Sequence, residues 1–274
     1  MLLAAGSGTR LFPLTKNAPK CLTVFNGTAI LERLITSLKR KGFNRLVVVT
    51  GYLEKQIRDF LGDQSGDLKI EYIFSPLYKE TNNIYSLWMA RNAINEPFVL
   101  FESDLVFDES LLDTMLYPDR MAVAVMKPWM NGTYVTVNKA QKVIAFLSDN
   151  IGYFGGTKYK TVNIYSFSLK SWHGIIKKLD EHILEGKVHG YYETVFAEMI
   201  LTGSLSIKII SFDGKPWYEI DTVSDLTKAE IAFLPNKKLI AKVVVNNHSK
   251  ILKTKLLKSA VPANKRLEVL NVKS

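Results

Sequence analysis

Short apolar runs alternating with segments of helical periodicity constrain this chain of 274 residues most. The runs are Leu3-Ala4-Ala5, Leu46-Val47-Val48-Val49, Ile70-Glu71-Tyr72-Ile73-Phe74 and Phe98-Val99-Leu100-Phe101. Each is too short for a buried helix and suits a buried strand. Between them, Ile30 to Lys41 places Ile30, Leu31, Leu34, Ile35 and Leu38 at helical spacing, with Gly42 set to end the helix. Leu53 to Leu61 and Ile84 to Ile94 read as further helices. Such alternation predicts an α/β fold with a mostly parallel central sheet flanked by helices. Ligands in such folds bind beyond the carboxyl ends of the strands. The second half is more mixed. Strands are expected over 121–127, 134–137, 143–146 and 206–212, and helices over 169–184 and 192–201.

The first run stops at Gly6-Ser7-Gly8-Thr9-Arg10, and Pro19-Lys20 follows. Glycine leaves no Cβ in the way of a ligand and tolerates positive φ. Successive N–H groups in such a turn form an anion-binding nest. Ser7 and Thr9 add hydroxyl donors, and Arg10 and Lys20 add charge. The spacing is neither a P-loop nor Gly-x-Gly-x-x-Gly. Glycines alone would serve a strand-to-helix turn equally well; the two cations tilt the reading toward a polyphosphate.

Composition bounds the rest. With 47% hydrophobic residues the chain can bury a substantial core, and no apolar stretch is long enough for a membrane span. The start lacks a basic region, so a cleaved signal peptide is not expected. One cysteine, Cys21, excludes an internal disulfide framework and suits a reducing, cytoplasmic compartment. The net charge is +10, but residues 236–274 hold ten cations against the single acid Glu268. The body is therefore nearly neutral, and with no zinc cluster or RNA-binding signature nucleic acid is not an expected partner. Pro235-Asn236 marks the boundary between a domain over 1–235 and a basic extension over 236–274. That extension is open to three functional readings: a subunit contact, an electrostatic contact with anionic lipid, or the remnant of a second domain.

The segment Leu3-Ala4-Ala5-Gly6-x-Gly8-Thr9-Arg10-Leu11-x-Pro13-Leu14-Thr15, followed by Pro19-Lys20, resembles the signature of nucleotidyltransferases that activate sugar phosphates and small alcohol phosphates. Only Met1 and Leu2 precede it, where that family has a few more strand residues. The resemblance implies a Rossmann-like nucleotidyltransferase fold with a small acceptor-binding subregion. It also implies attack of an acceptor phosphate on the α-phosphorus of a nucleoside triphosphate, with release of pyrophosphate. By the same resemblance Leu3, Ala4, Ala5, Gly6, Ser7, Gly8 and Thr9 wrap the triphosphate, while Arg10 and Lys20 contact it.

Two acids suit a magnesium ion. Asp104 follows the apolar run ending at Phe101, and Asp221 lies in Trp217-Tyr218-Glu219-Ile220-Asp221. Mg²⁺ on a nucleotide takes one or two protein carboxylates. Either aspartate alone would serve as a helix cap; both fall where the family has metal ligands. Glu219 shares a strand face with Asp221 and could be a third ligand, an ammonium partner or a surface acid.

Four blocks narrow the acceptor: Glu80-Thr81-Asn82-Asn83-Ile84-Tyr85, Lys160-Thr161-Val162-Asn163-Ile164-Tyr165, Tyr191-Tyr192-Glu193 and Trp217–Asp221. In this order they resemble the choline-phosphate and 2-aminoethylphosphonate cytidylyltransferases over about residues 2–230. A cationic head needs aromatic faces and a carboxylate. Trp129, Tyr134, Tyr192 and Trp217, with Glu193 and Glu219, are the candidates, and Lys160 is the candidate grip on the acceptor phosphate. Tyr153, Tyr191 and Tyr218 extend the aromatic set. Asn82 and Asn83 would read the base or ribose, or cap the following helix. The rival activity is a sugar-1-phosphate nucleotidyltransferase using UTP, dTTP or GTP; a non-catalytic nucleotide-binding subunit is a third, for which Lys20 and both aspartates are superfluous. Homo-oligomerisation is left open.

Overall fold

The computed structural model describes residues 1–127, 130–147 and 157–234. Trp129, Tyr153, Pro235-Asn236 and the basic extension lie outside them. One compact unit spans Met1–Glu230 and a second spans Ile231–Ser274.

The order is β1 (Leu2–Ala4), β2 (Val24–Phe25), β3 (Thr28–Ala29), α1 (Ile30–Arg40), β4 (Arg45–Thr50), α2 (Glu54–Leu61), β5 (Gln64–Ser65), β6 (Leu68–Phe74), α3 (Asn83–Met89), β7 (Phe98–Glu102) and β8 (Leu105–Phe107). There follow β9 (Arg120–Val125), β10 (Tyr134–Val137), β11 (Val143–Leu147), β12 (Tyr159–Phe167), α4 (Leu169–Leu184), α5 (Glu193–Leu201), β13 (Lys208–Ser211), β14 (Trp217–Glu219) and α6 (Val223–Ala232).

The main sheet runs β11-β10-β12-β7-β1-β4-β6-β5, and β9 pairs with both β12 and β13. β6, β4, β1 and β7 are parallel, as the buried apolar runs require. The chain winds outward from β1 through β4 to β6, then returns to place β7 on the other side of β1. That reversal opens a crevice at the carboxyl ends of β1 and β7. Leu2 and Leu3 sit on opposite faces of β1, one in each of two hydrophobic layers. In one layer Leu31, Leu34, Ile35 and Leu38 of α1 cover the sheet; in the other Trp172, Ile175 and Leu179 of α4 join Val195 and Phe196 of α5. Each such side chain contributes roughly 1.5–3 kcal/mol through burial.

The expected helices and strands form within a residue or two of the predicted spans, except that α3 ends at Met89, five residues before the expected Ile94, and a single 3-10 turn over Ala90–Asn92 follows it. The sequence pattern did not reveal β12 as a strand, although it is nine residues long and central. Residues 159–160 pair with β10 and residues 164–167 with β7, so β12 changes neighbour partway along. At the change, its register against β9 shifts between Thr161 and Tyr165, and Asn163 takes a left-handed φ of 60°. An irregularity of this kind re-aims side chains, and such features concentrate beside functional sites.

Candidate active site

The crevice is a cleft of about 310 Å³. Leu3, Ala5, Gly6, Gly8, Thr9 and Arg10 form one wall, and Asn82, Asn83 and Ser86 of the α3 entrance form another. Lys20, Glu102, Ser103, Asp104 and Asp221 complete the lining with Tyr78, Thr81 and Tyr191. Glycine is required at two places for different reasons. Gly8 has φ 61°, and a Cβ there would lie 3.1 Å from Cβ of Lys20. Gly51, beyond β4, lets Tyr52 donate its N–H to the Ala5 carbonyl at 3.0 Å; a Cβ at Gly51 would meet that oxygen at 2.7 Å. Around Gly6 a Cβ would meet nothing within 4 Å, so the space above it belongs to the cleft. Thr15 clasps the loop from behind, its hydroxyl donating to the Gly8 carbonyl at 2.7 Å.

Lys20 is the hub. Its Nζ donates to Asp104 Oδ2 at 2.6 Å and to Asp221 Oδ1 at 2.7 Å. Arg10 Nη2 reaches the same Asp221 oxygen at 2.8 Å, from a side chain that is 72% exposed. Burial pulls the Lys20 ammonium toward neutrality, but the charges of Asp104 and Asp221 and their hydrogen bonds outweigh it and raise its pKa. Short charge-assisted bonds of this kind are the strong class. The four residues singled out as catalytic in the sequence therefore meet at one point. Asp221 arrives there because β14 pairs antiparallel with β8, just after Asp104, and the Ile220 N–H donates to the Asp104 carbonyl at 2.9 Å.

Asp104 Oδ1 is buried and has no hydrogen-bond partner among the described residues. Oxygens of Glu102, Asp104 and Glu219 lie within 4.8 Å of one another, so these three could also hold a cation. Burial first, and then the facing charges of Asp104, Glu193 and Glu219, raise Glu102 well above the usual carboxyl range. Its partners are Asn83 Nδ2 at 3.1 Å and the Tyr192 hydroxyl at 2.8 Å. Burial likewise raises Glu219 and Glu193, with Lys160 opposing the shift in both.

The remaining sequence-predicted residues are distributed unevenly. Ala4 faces away from the cleft into the layer under α1, so only its backbone is available to a ligand. Ser7 follows Gly6 in the same loop. Asn82 caps α3, its Oδ1 accepting from the Asn83 N–H at 2.8 Å. Asn83 spans the cleft, with Oδ1 accepting from the Tyr192 N–H at 3.0 Å and Nδ2 donating to Glu102. Tyr192 and Tyr134 are both buried, contrary to their expected place on the acceptor wall. Tyr192 packs edge-on against Tyr165 and supports the cleft floor. The Tyr134 ring carries the Lys158 ammonium at 4.5 Å. Trp217 packs against the layer under α1. Lys160 is buried, donating to the Thr161 carbonyl at 3.0 Å and to Glu219 Oε2 at 3.3 Å. Glu219 Oε1 also faces Asn163 Nδ2 at 3.4 Å.

Sequence reasoning missed Glu102. Its signal was a charged residue closing an apolar strand two positions before Asp104. Tyr78 and Ser86, also missed, carry no sequence signal of their own.

Residues 1–129 match the nucleotidyl transferase family. Among similar proteins is the CMP-5'-(3-aminopropyl)phosphonate synthase of Streptomyces rubellomurinus, 29% identical over 246 residues. The alignment covers 86% of this chain but 38% of that longer protein. The choline-phosphate cytidylyltransferase of Streptococcus pneumoniae is 27% identical, with 84% of this chain and 96% of the relative covered. A solved structure of the CTP:phosphocholine cytidylyltransferase from the same species superimposes with a TM-score of 0.74 at 26% identity, covering 84% of this chain and 96% of that one.

Proposed function

Residues 1–129 of this chain belong to the nucleotidyl transferase family, and from that premise we propose a Mg²⁺-dependent transfer of CMP from CTP to a small cationic phosphate or phosphonate. The enzyme is of the cytidylyltransferase type, as are the relatives that span the fold. The observation that carries the reading is the meeting of Arg10, Lys20, Asp104 and Asp221 on the floor of a glycine-walled cleft.

The residues fit a magnesium ion. Asp104 offers a buried oxygen with no partner among the described residues, and Asp221, which shares the Lys20 ammonium with Asp104, would supply the second carboxylate. Bound there, the ion supplies charge neutralisation at the phosphates and an orienting template. The protein does the rest. The Gly6–Thr9 backbone wraps the triphosphate, and Asn82 and Asn83 face the nucleoside. Lys20 and Arg10 neutralise the charge that grows on the α-phosphoryl and the departing pyrophosphate. An oxygen of the acceptor phosphate or phosphonate forms the new bond to the α-phosphorus. The bond to the bridging α–β oxygen breaks, and its electron pair leaves with pyrophosphate. The nucleophile is already an anion, so the chain needs no general base. Phosphocholine and 2-aminoethylphosphonate are the acceptors this reading favours, and a cytoplasmic setting suits the single buried cysteine, Cys21.

Pyrophosphate release measured with CTP, UTP, dTTP and GTP, each paired with phosphocholine, 2-aminoethylphosphonate and glucose-1-phosphate, tests this. CTP with a cationic acceptor is expected to be fastest. Preference for UTP with glucose-1-phosphate would replace it by the sugar-nucleotide activity.

A further inference from the structure

Two asparagines at the entrance of α3 hold down the segment that joins α4 to α5. That segment, residues 185–192, has no helix or strand of its own. It is exposed at His189, Gly190 and Tyr191, and Tyr191 lines the cleft. This exposed stretch is tied on either side. The Asn82 backbone N–H donates to the Val188 carbonyl at 2.9 Å, and the Tyr192 N–H donates to Asn83 Oδ1 at 3.0 Å. A backbone N–H can only donate, so the oxygen of the Asn83 amide faces Tyr192 and its nitrogen faces Glu102.

The nitrogen end of that amide meets a junction. Asn83 Nδ2 at 3.1 Å and the Tyr192 hydroxyl at 2.8 Å donate to the same oxygen, Oε1 of Glu102, at the end of β7. Tyr192 is therefore held twice, by its backbone through Asn83 and by its phenol through Glu102. Its ring is wholly buried and meets Tyr165 edge-on at 5.8 Å, so the anchor rests on the core. Both ends of the Asn83 amide have protein partners, and Asn82 spends its own side chain on the α3 cap. An amide set to read a base edge would turn its donor and acceptor to the ligand instead.

We propose that Asn83 is a positioning residue for the acceptor and not a reader of the nucleoside: it clamps the 188–192 strap against α3 and the end of β7, and so fixes where Tyr191 meets the second substrate. This rests on the reading of the cleft given above and adds the device that sets one wall against the other. A strap already held in place spares the acceptor the cost of ordering it on binding.

The test uses the full chain with MgCl₂ and calorimetry. CTP and UTP are titrated alone. Phosphocholine and 2-aminoethylphosphonate are titrated into chain saturated with the α,β-methylene analogue of CTP, whose bridging carbon blocks turnover. Asn83→Ala removes both bonds and should weaken the acceptor by at least about tenfold, while CTP affinity stays within about twofold. Backbone hydrogen exchange over residues 188–192 should quicken in the same variant, with the sheet unchanged. Tyr192→Phe deletes one buried hydroxyl and keeps the test open should Asn83→Ala fail to fold. It should weaken the acceptor less, and adding it to Asn83→Ala should cost little more, because both bonds end on one oxygen. Loss of CTP affinity, or of the preference for CTP over UTP, with acceptor binding intact overturns the proposal and makes Asn83 a nucleoside reader. Unchanged exchange over the strap overturns it too. If neither acceptor binds the unaltered chain, the acceptor part of the cytidylyl-transfer reading falls by itself. The clamp is then decided by exchange and CTP titration: quickened exchange with CTP affinity intact upholds it, and any other result sinks it.

Discussion

Lys20 and Asp221 stand 201 positions apart in the sequence and 2.7 Å apart in the fold. The bond closes the cleft floor because Asp221 is carried in on β14, while Lys20 follows the glycine loop at the other end of the unit. Removing the lysine deletes a transition-state cation and leaves Asp104 and Asp221 facing one another. Lys20→Ala is therefore expected to lower kcat by about 100- to 1000-fold. Near-normal pyrophosphate release at saturating CTP would refute the role.

The same variant probes the metal. In Lys20→Ala only the exposed Arg10, on Asp221, still offsets the paired aspartates, so added Mg²⁺ should raise Tm more than in the unaltered chain. In a Lys20→Ala/Asp104→Asn double variant the extra rise should vanish. Thermal unfolding with and without MgCl₂ reads both, and an equal response in all three proteins would argue against a metal at these carboxylates.

The pKa of Lys20 is raised in the folded state, burial opposing the shift and Asp104 and Asp221 overcoming it. A group whose folded pKa exceeds its unfolded one contributes stability that is fully present below the unfolded value and lost as pH rises through the folded value. For a lysine the unfolded value is about 10.4. The Tm difference between the unaltered chain and Lys20→Ala should accordingly stay constant from pH 6 to pH 9. A difference that shrinks steadily over that range would contradict the ion pairs.

Two glycines separate folding from binding. At Gly51 a new Cβ would meet the Ala5 carbonyl oxygen at 2.7 Å and the Tyr78 side chain at 2.8 Å, so Gly51→Ala should cost about 1–3 kcal/mol of stability. Gly6 has open space around it, so Gly6→Ala should leave stability within about 0.5 kcal/mol. Its methyl group projects into the cleft and should raise KM for CTP several-fold. Denaturant unfolding and steady-state kinetics on the pair decide it; a Gly6→Ala protein with unchanged KM would show that the triphosphate lies elsewhere.

Cys21 adjoins Lys20 but has no catalytic geometry. Burial, and in smaller part the charge of Asp104, push its thiol up to about 12. The folded protein should resist iodoacetamide at pH 8 and react fully once denatured. Rapid labelling of the native form would overturn this.

The parallel half of the sheet was legible because buried strands there are unbroken apolar runs, and α1 because its apolar stripe ends at Gly42. The floor of the cleft was legible too, since Arg10, Lys20, Asp104 and Asp221 stand in ordered motifs. β12 was not. Its run Lys160-Thr161-Val162-Asn163 mixes polar and apolar residues without a period of two, for the physical reason that the strand breaks its own regularity at Asn163. Tyr134 and Tyr192 misled because an aromatic beside an acid reads alike in sequence whether its ring meets a ligand or fills a core. Glu102 was hidden by the strand that carries it, and only the fold shows that Asn83 and Tyr192 converge upon it.

The change of partner along β12 has a mechanical side. On one flank of residues 162–163, β10 has stopped and β7 has not yet begun, so the ladder there is unlaced. A sheet resists bending where its rungs are continuous and yields at an unlaced seam. The seam lies between the strand that bears Asp104's neighbours and the strand that pairs with Lys160. Asn163 sits at that break with its Nδ2 3.4 Å from Glu219 Oε1, so the one irregular backbone in the strand is also the one that turns an amide toward the cleft acids.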